Sequence, residues 1–269
     1  MIGIPPDEIT LVDTAGPVAH YRLGTRDGSP IADDVVVADG RGPQEAAAAL
    51  LGAPPAPMAA TGNPDLAEAL MHAGASENRH FFVMRCDVRG PGQMTGIDPR
   101  FRLAPLPETD DPAQWRGILP GWRAAFPPEH PDHFPGDDAE AITFHLTLMD
   151  GTTMGPLHRA STLLVDQSGT AIGGIMVNVR LEESRWGGPW IADIWRDPSL
   201  RGTGIGRMLV SHARTLLAED SFPGLMLAVT AGNDARRSYE AMGFEVVHES
   251  WILDLAPPWA GDGFVTQGG

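Results

Sequence analysis

The chain contains no lysine, a single cysteine, only two tyrosines and no uninterrupted apolar run of membrane-spanning length. Without lysine, arginine is the only strong cation, and a Walker phosphate loop, which needs Lys after its glycines, is excluded. The lone Cys86 cannot form an internal disulfide. The most apolar stretches, such as Ala46 to Ala60, are broken by Gly and Pro well short of the ~20 residues a spanning helix needs, so no membrane partner is expected. The opening MIGIPPDEIT carries acid where a signal peptide needs a basic start and an apolar run, and the expected location is cytoplasmic. Positive charge is also scarce. Lys+Arg 19 against Asp+Glu 35 gives a net charge of -16, a field that repels phosphate backbones, and no nucleic-acid partner is expected.

What is present describes a folded chain. With 269 residues, 42% of them hydrophobic, it is long enough for one large domain and a smaller one. The breaker-rich segment from Arg89 to Pro99 has no apolar period and reads as a linker. This gives a small domain over 1–90, a linker at 91–99, a larger domain over 100–256 and a loose tail at 257–269. In the larger domain Phe101 to Leu106 reads as a short strand. Trp115, Ile118, Leu119 and Trp122 are spaced as on an amphipathic helix over 112–126. Strand-like runs follow at 161–166, 171–181 and 190–195, separated by Gly-rich turns. The strongest helical period places Ile205, Met208, Leu209, His212, Ala213, Leu216 and Leu217 on one face. A buried strand at 225–229, a helix at 234–242 stopped by Gly243 and a paired strand at 246–255 complete the series.

Between the strand ending near Arg196 and the strong helix lies Arg201-Gly202-Thr203-Gly204-Ile205-Gly206. Closely spaced glycines before a helix let backbone N–H groups converge on an anion, and the helix dipole adds to the attraction. A dinucleotide fingerprint does not fit, because its third glycine would fall on Arg207 or Leu209. The loop, preceded by Asp197-Pro198, resembles the acetyl-CoA signature of the GNAT N-acetyltransferase superfamily, an Arg or Gln followed two residues later by G-x-G. Downstream, Asn233 and Tyr239-Glu240-Ala241-Met242-Gly243-Phe244 resemble the family's Asn and Tyr-x-x-x-Gly-Phe, although Asn233 precedes Tyr239 by six residues where the family usually has seven.

The resemblance implies an α/β (α+β) fold with a mixed central sheet, splayed at the cofactor site and flanked by helices, behind a smaller α/β domain. It implies acetyl-CoA as cosubstrate, with its pyrophosphate on the amides of Gly202, Thr203, Gly204, Ile205, Gly206 and Arg207 beside Arg201. The backbone of Ile194, Trp195 and Arg196 is then expected to pair with the pantetheine arm and polarise the thioester carbonyl, with Asn233 and Tyr239 completing the site. Tyr239 matches the family's usual acid.

The base is less well marked. The family's usual Glu or His positions, nine or eleven residues before the signature Arg, are Ala192 and Trp190 here. Asp193 is the only acid in the strand, and by period-two alternation it points to the opposite face unless the strand bulges. Glu182, Glu183 and His158 are further candidates. His130 and His133 lack a third ligand at metal spacing, so no metal is expected. Trp186, Trp190 and Trp195 suit either an aromatic acceptor wall or core packing.

The run from Gly62-Asn63 through Gly74 to Phe81–Met84 echoes Gly232-Asn233 through Gly243 to Ser250–Leu253, with Leu70 in the place of Tyr239 and no Arg-led glycine loop upstream. The first domain is therefore expected to be a degenerate GNAT half. The expected activity is acetyl transfer to a primary amine of a small molecule or peptide by a monomer or homodimer. The alternative is a noncatalytic acyl-CoA-binding or sensing protein.

Overall fold

The computed structural model describes residues 8–26, 28–52, 54–89, 98–107, 112–181 and 186–255. In chain order the elements are β1 (Glu8–Asp13), β2 (Gly16–Arg26), β3 (Ser29–Val37), α1 (Pro43–Gly52), β4 (Met58–Thr61), α2 (Pro64–His72) and β5 (Ser76–Asp87). Then come β6 (Arg102–Ala104), α3 (Pro112–Ala125), α4 (Asp138–Met149), β7 (Thr162–Val165) and β8 (Ala171–Arg180). The series ends with β9 (Gly188–Arg196), α5 (Ile205–Glu219), β10 (Gly224–Thr230), α6 (Ala235–Glu240) and β11 (Glu245–Asp254). Three strands, helix, strand, helix, strand thus occur twice, as β1 to β5 with α1 and α2, and as β7 to β11 with α5 and α6.

The chain divides into two compact units, Met1–Phe81 with His248–Gly269, and Phe82–Val247. Residues 90–97, most of the expected linker, lie outside the described residues, as does the tail from 256. In the first unit β1, β2 and β3 form an antiparallel meander, β4 runs parallel to β3, and the end of β11 pairs antiparallel with β4, Trp251 opposite Thr61 and Leu253 opposite Ala59. Leu50 of α1, Leu66 and Leu70 of α2, and Val18, Val35, Trp251 and Leu253 of the strands share one core.

In the second unit the sheet order is β5-β10-β9-β8-β7-β6, antiparallel from β6 to β9, with β10 parallel to β9. One face carries α5. Its Ile205, Met208, Leu209, Ala213 and Leu217 fall on one stripe and pack with Met84, Cys86, Ile175, Val177, Ile191 and Phe244. Leu209 and Leu217 are fully buried, each contributing about 1.5–3 kcal/mol. The opposite face carries α3 and α4, whose Trp115, Leu119, Trp122, Ile142 and Leu148 pack on Leu163, Val165, Met176 and Trp195. A capping box starts α4, with Asp137 and Glu140 each accepting from the other's backbone N–H. Among the described residues no helix is long and apolar enough to cross a membrane, and no group of His, Cys, Asp and Glu could hold a metal ion.

Candidate active site

The glycine loop is a tightly hydrogen-bonded turn leading into α5. Asp197 opens it by accepting from the Ser199 N–H at 2.8 Å, and the Thr203 hydroxyl donates to the Leu200 carbonyl at 2.6 Å. Gly202 and Gly204 have φ of +81° and +84°, which only glycine adopts without strain, and Gly204 is the N-cap of α5. Gly204 supplies no side chain to cap the helix, and the first intrahelical bond is Met208 N–H to the Gly204 carbonyl at 2.9 Å. Among the described residues no acceptor takes the amides of Ile205, Gly206 or Arg207, three unpaired donors at the positive end of a 15-residue helix. Arg196 and Arg201 stand near enough that, after the burial of Arg196, the charge of Arg201 also lowers the Arg196 pKa. Like charges gathered there suit an anion.

Beside the loop the sheet opens. The parallel ladder between β9 and β10 runs only through Trp190–Met226 and Ile191–Leu227. Beyond Ile191 the β10 side of Ile194, Trp195 and Arg196 is released from pairing, while their other side stays bonded to β8 opposite Ile175, Gly174 and Gly173. At the same point β9 bulges. Met176 lies opposite Asp193 and Val177 opposite Ile191, so Ala192 is an extra residue. The bulge resets the alternation: Ile191 and Ile194 face the α5 side, whereas Ala192 and Asp193 both face the α3 and α4 side.

Residues 115–244 match the model of the acetyltransferase (GNAT) family. That match lies wholly within the second unit. The chain is 45% identical over 64 residues to the peptidyl-lysine N-acetyltransferase YjaB of Salmonella typhimurium, a match covering 23% of this chain and 41% of that protein's length. Among solved structures, a GCN5-related N-acetyltransferase from Sphaerobacter thermophilus matches with a TM-score of 0.64 at 14% identity, covering 95% of this chain and 83% of that one. A tandem GNAT protein from the clavulanic acid biosynthesis pathway matches with a TM-score of 0.54 at 15% identity, covering 94% and 85%. Both share the fold.

In the second unit the bulge brings Asp193 to a polar position. Its Oδ2 accepts from Trp122 Nε1–H at 3.1 Å and lies 3.3 Å from Nε2 of His145 on α4, while Oδ1 makes no hydrogen bond among the described residues. Tyr239 on α6 packs edge-on against Phe244, and its hydroxyl likewise has no hydrogen-bond partner among the described residues. Desolvation, and then the charges of Asp132 and Asp193, raise the Tyr239 pKa, keeping the phenol protonated through the neutral range. Asp132, from the connection between α3 and α4, accepts from the Thr230 hydroxyl and from Asn233 Nδ2, while Asn233 Oδ1 accepts from the Ala235 N–H at 2.8 Å.

The other candidates fall elsewhere. His158 Nε2–H donates to Asp220, 2.9 Å away at the C-terminal end of α5, about 22 Å of helix from the glycine loop, while its Nδ1 accepts from the Ala160 N–H. Glu182 and Glu183 lie outside the described residues. Trp195 is a core residue in a slot left by two glycines: a methyl group on Gly174 would lie 2.8 Å from its Nε1, and one on Gly121 3.1 Å from its ring. Trp190 Nε1–H donates to the Trp186 carbonyl at 2.6 Å. Sequence reasoning missed Asp132, Trp122 as a donor, and His145. The capping box at Asp137 and Glu140 was the available sign that a helix carries His145.

Proposed function

We propose that the chain transfers an acetyl group from acetyl-CoA to a primary amine of a small molecule or peptide. The observation that carries this reading is the pairing of three free amides at the start of α5 with a β9 edge left unpaired beside them. The amides of Ile205, Gly206 and Arg207, with Arg196 and Arg201 around them, fit a pyrophosphate. The released backbone of Ile194, Trp195 and Arg196 fits the amide-rich pantetheine arm, and a fixed N–H there stabilises negative charge on the acyl oxygen more in the transition state than in the ground state. When bound, acetyl-CoA supplies the activated acyl group. The chain supplies orientation and proton handling: Tyr239 holds a proton for the departing sulfur, and Asp193 faces the acceptor side with one carboxylate oxygen unengaged. The peptidyl-lysine activity of the relative supports an alkylamine acceptor, as does the strongly acidic chain, which attracts cations.

The test is turnover of acetyl-CoA with a panel of alkylamines and lysine peptides, read as free thiol. Amine-dependent thiol release supports the reading. Tight acetyl-CoA binding without turnover on any amine points instead to a noncatalytic acyl-CoA-binding protein.

A further inference from the structure

The geometry points to His145 as a positioning residue that, as a buried imidazolium, holds Asp193 as a carboxylate with its other oxygen unengaged. Its catalytic meaning rests on the acetyltransferase reading, whereas its protonation rests on hydrogen bonding alone. His145 is 1% exposed on α4. Its Nδ1 lies 2.7 Å from the Ala141 carbonyl, an oxygen that can only accept, so Nδ1 carries a hydrogen. Nε2 stands 3.3 Å from Asp193 Oδ2. With Nδ1 already protonated, a neutral ring would turn the Nε2 lone pair toward a carboxylate lone pair in a nearly closed site. The contact is attractive only with a proton on the Nε2–Oδ2 axis.

Two further observations assign that proton to His145. Oδ2 also accepts Trp122 Nε1–H at 3.1 Å, and a second donor favours the carboxylate over the acid. The imidazole stacks on Trp115 with centroids 4.6 Å apart at 28°, and meets Trp122 and Phe144 edge to face at 4.8 Å and 5.4 Å. An indole face stabilises a cation laid against it. The charged groups around the pair are thus Asp193 from β9 and His145 from α4. Asp132 and the Tyr239 phenol stand close enough that Asp132 and Asp193 both act on that phenol.

The arrangement suits amide formation from an amine that arrives neutral. As its nitrogen bonds to the acyl carbon of the thioester, the nitrogen becomes cationic and its proton acidic, so a carboxylate is base enough. Asp193 Oδ1 takes that proton, the carbon–sulfur bond breaks, and Tyr239 gives its hydroxyl proton to the sulfur. Asp193 then releases a proton to solvent and the tyrosinate regains one. His145 keeps both ring protons throughout.

The experiment is nitrogen-15 NMR of the histidine rings in the full chain at neutral to mildly alkaline pH. His145 would be assigned by its absence in His145→Gln and by contacts to the Trp115 and Trp122 ring protons. The expected result is protonated-type shifts at both Nδ1 and Nε2, with Nε2 changing to the unprotonated type in Asp193→Asn while Nδ1 does not change. An unprotonated Nε2 in the wild type, or an unchanged spectrum in Asp193→Asn, overturns the assignment whether or not any amine is acetylated. In turnover, His145→Gln keeps a donor to Asp193 without the charge, and kcat should fall about 10-fold or more with KM for acetyl-CoA unchanged. A wild-type kcat in that variant, beside a confirmed imidazolium, removes the catalytic role.

Discussion

Asp132 Oδ2 accepts a hydrogen bond from Asn233 Nδ2 at 2.7 Å, so the segment joining α3 to α4 is fastened to the entry of α6. Asn233 Oδ1 also accepts from the Ala235 N–H, so both ends of the amide are engaged within the protein. Asp132→Ala and Asn233→Ala should each destabilise by about 1.5–3 kcal/mol, the range for a hydrogen bond to a charged group. The double variant should cost little more than the worse single one. Urea denaturation of the three variants checks this, and additive losses would show that the two residues act separately.

The glycine loop separates strain from ligand chemistry. Gly202 and Gly204 need a left-handed backbone, so any side chain there strains the fold, whereas Gly206 has no positive φ and open space where a side chain would go. Gly206→Glu should therefore weaken acetyl-CoA binding by roughly 100-fold, the scale of one strong charge-assisted hydrogen bond, with an unchanged melting temperature. Calorimetric titration beside thermal melting decides it; unaltered affinity would move the pyrophosphate elsewhere.

Tyr239→Phe keeps the ring against Phe244 and removes only the hydroxyl. Because burial and two carboxylates hold that hydroxyl protonated, its loss should lower kcat by roughly 100-fold while acetyl-CoA affinity stays the same. Single-turnover rates make the comparison under conditions where chemistry is limiting, and a wild-type rate would leave Tyr239 a packing residue.

Cys86 gives a pH dependence of stability. Burial pushes its thiol up from 9.0 to about 11. Between those values the unfolded chain has lost a proton that the native chain retains, so the contribution is complete below pH 9 and is lost as pH rises through the window, by on the order of 2 kcal/mol. Cys86→Ala should flatten that part of the curve relative to wild type in urea titrations on either side of the window; parallel curves would show a thiol that titrates normally.

A fragment beginning at Pro99 should aggregate. It lacks Phe82–Val88, which carries Met84, Cys86 and Val88 into the same core as α5 and supplies the strand beside β10. Size-exclusion chromatography of the fragment is the measurement, and a monodisperse, cooperatively melting product would refute the expectation.

Local signals were legible in the sequence where a single element decided them. The period from Ile205 to Leu217 became α5 (Ile205–Glu219), and the runs at 161–166, 171–181 and 190–195 became β7, β8 and β9 within a few residues. The glycines of the loop took the positive φ that their spacing suggested at Gly202 and Gly204. The surroundings of Asp193 were not legible, because their geometry depends on pairing. Whether Asp193 faces α5 or α4 turns on one extra residue, Ala192, and a bulge is set by register against β8 rather than by the β9 sequence. His145 is one polar side chain on an otherwise apolar face, and its meaning appears only with Trp122 and Asp193, 23 and 48 positions away.

The pairing of β11 with β4 fixes the order in which this protein can be made. During synthesis the residues of β1 to β4, α1 and α2 leave the ribosome first, yet Trp251, Leu253 and Leu255 belong to the same core as Leu50, Leu66 and Leu70. That sheet must keep β4 open along one edge until β11 has emerged, so folding of the first unit waits on synthesis of β11, and an open edge of that kind is where a nascent chain invites a chaperone.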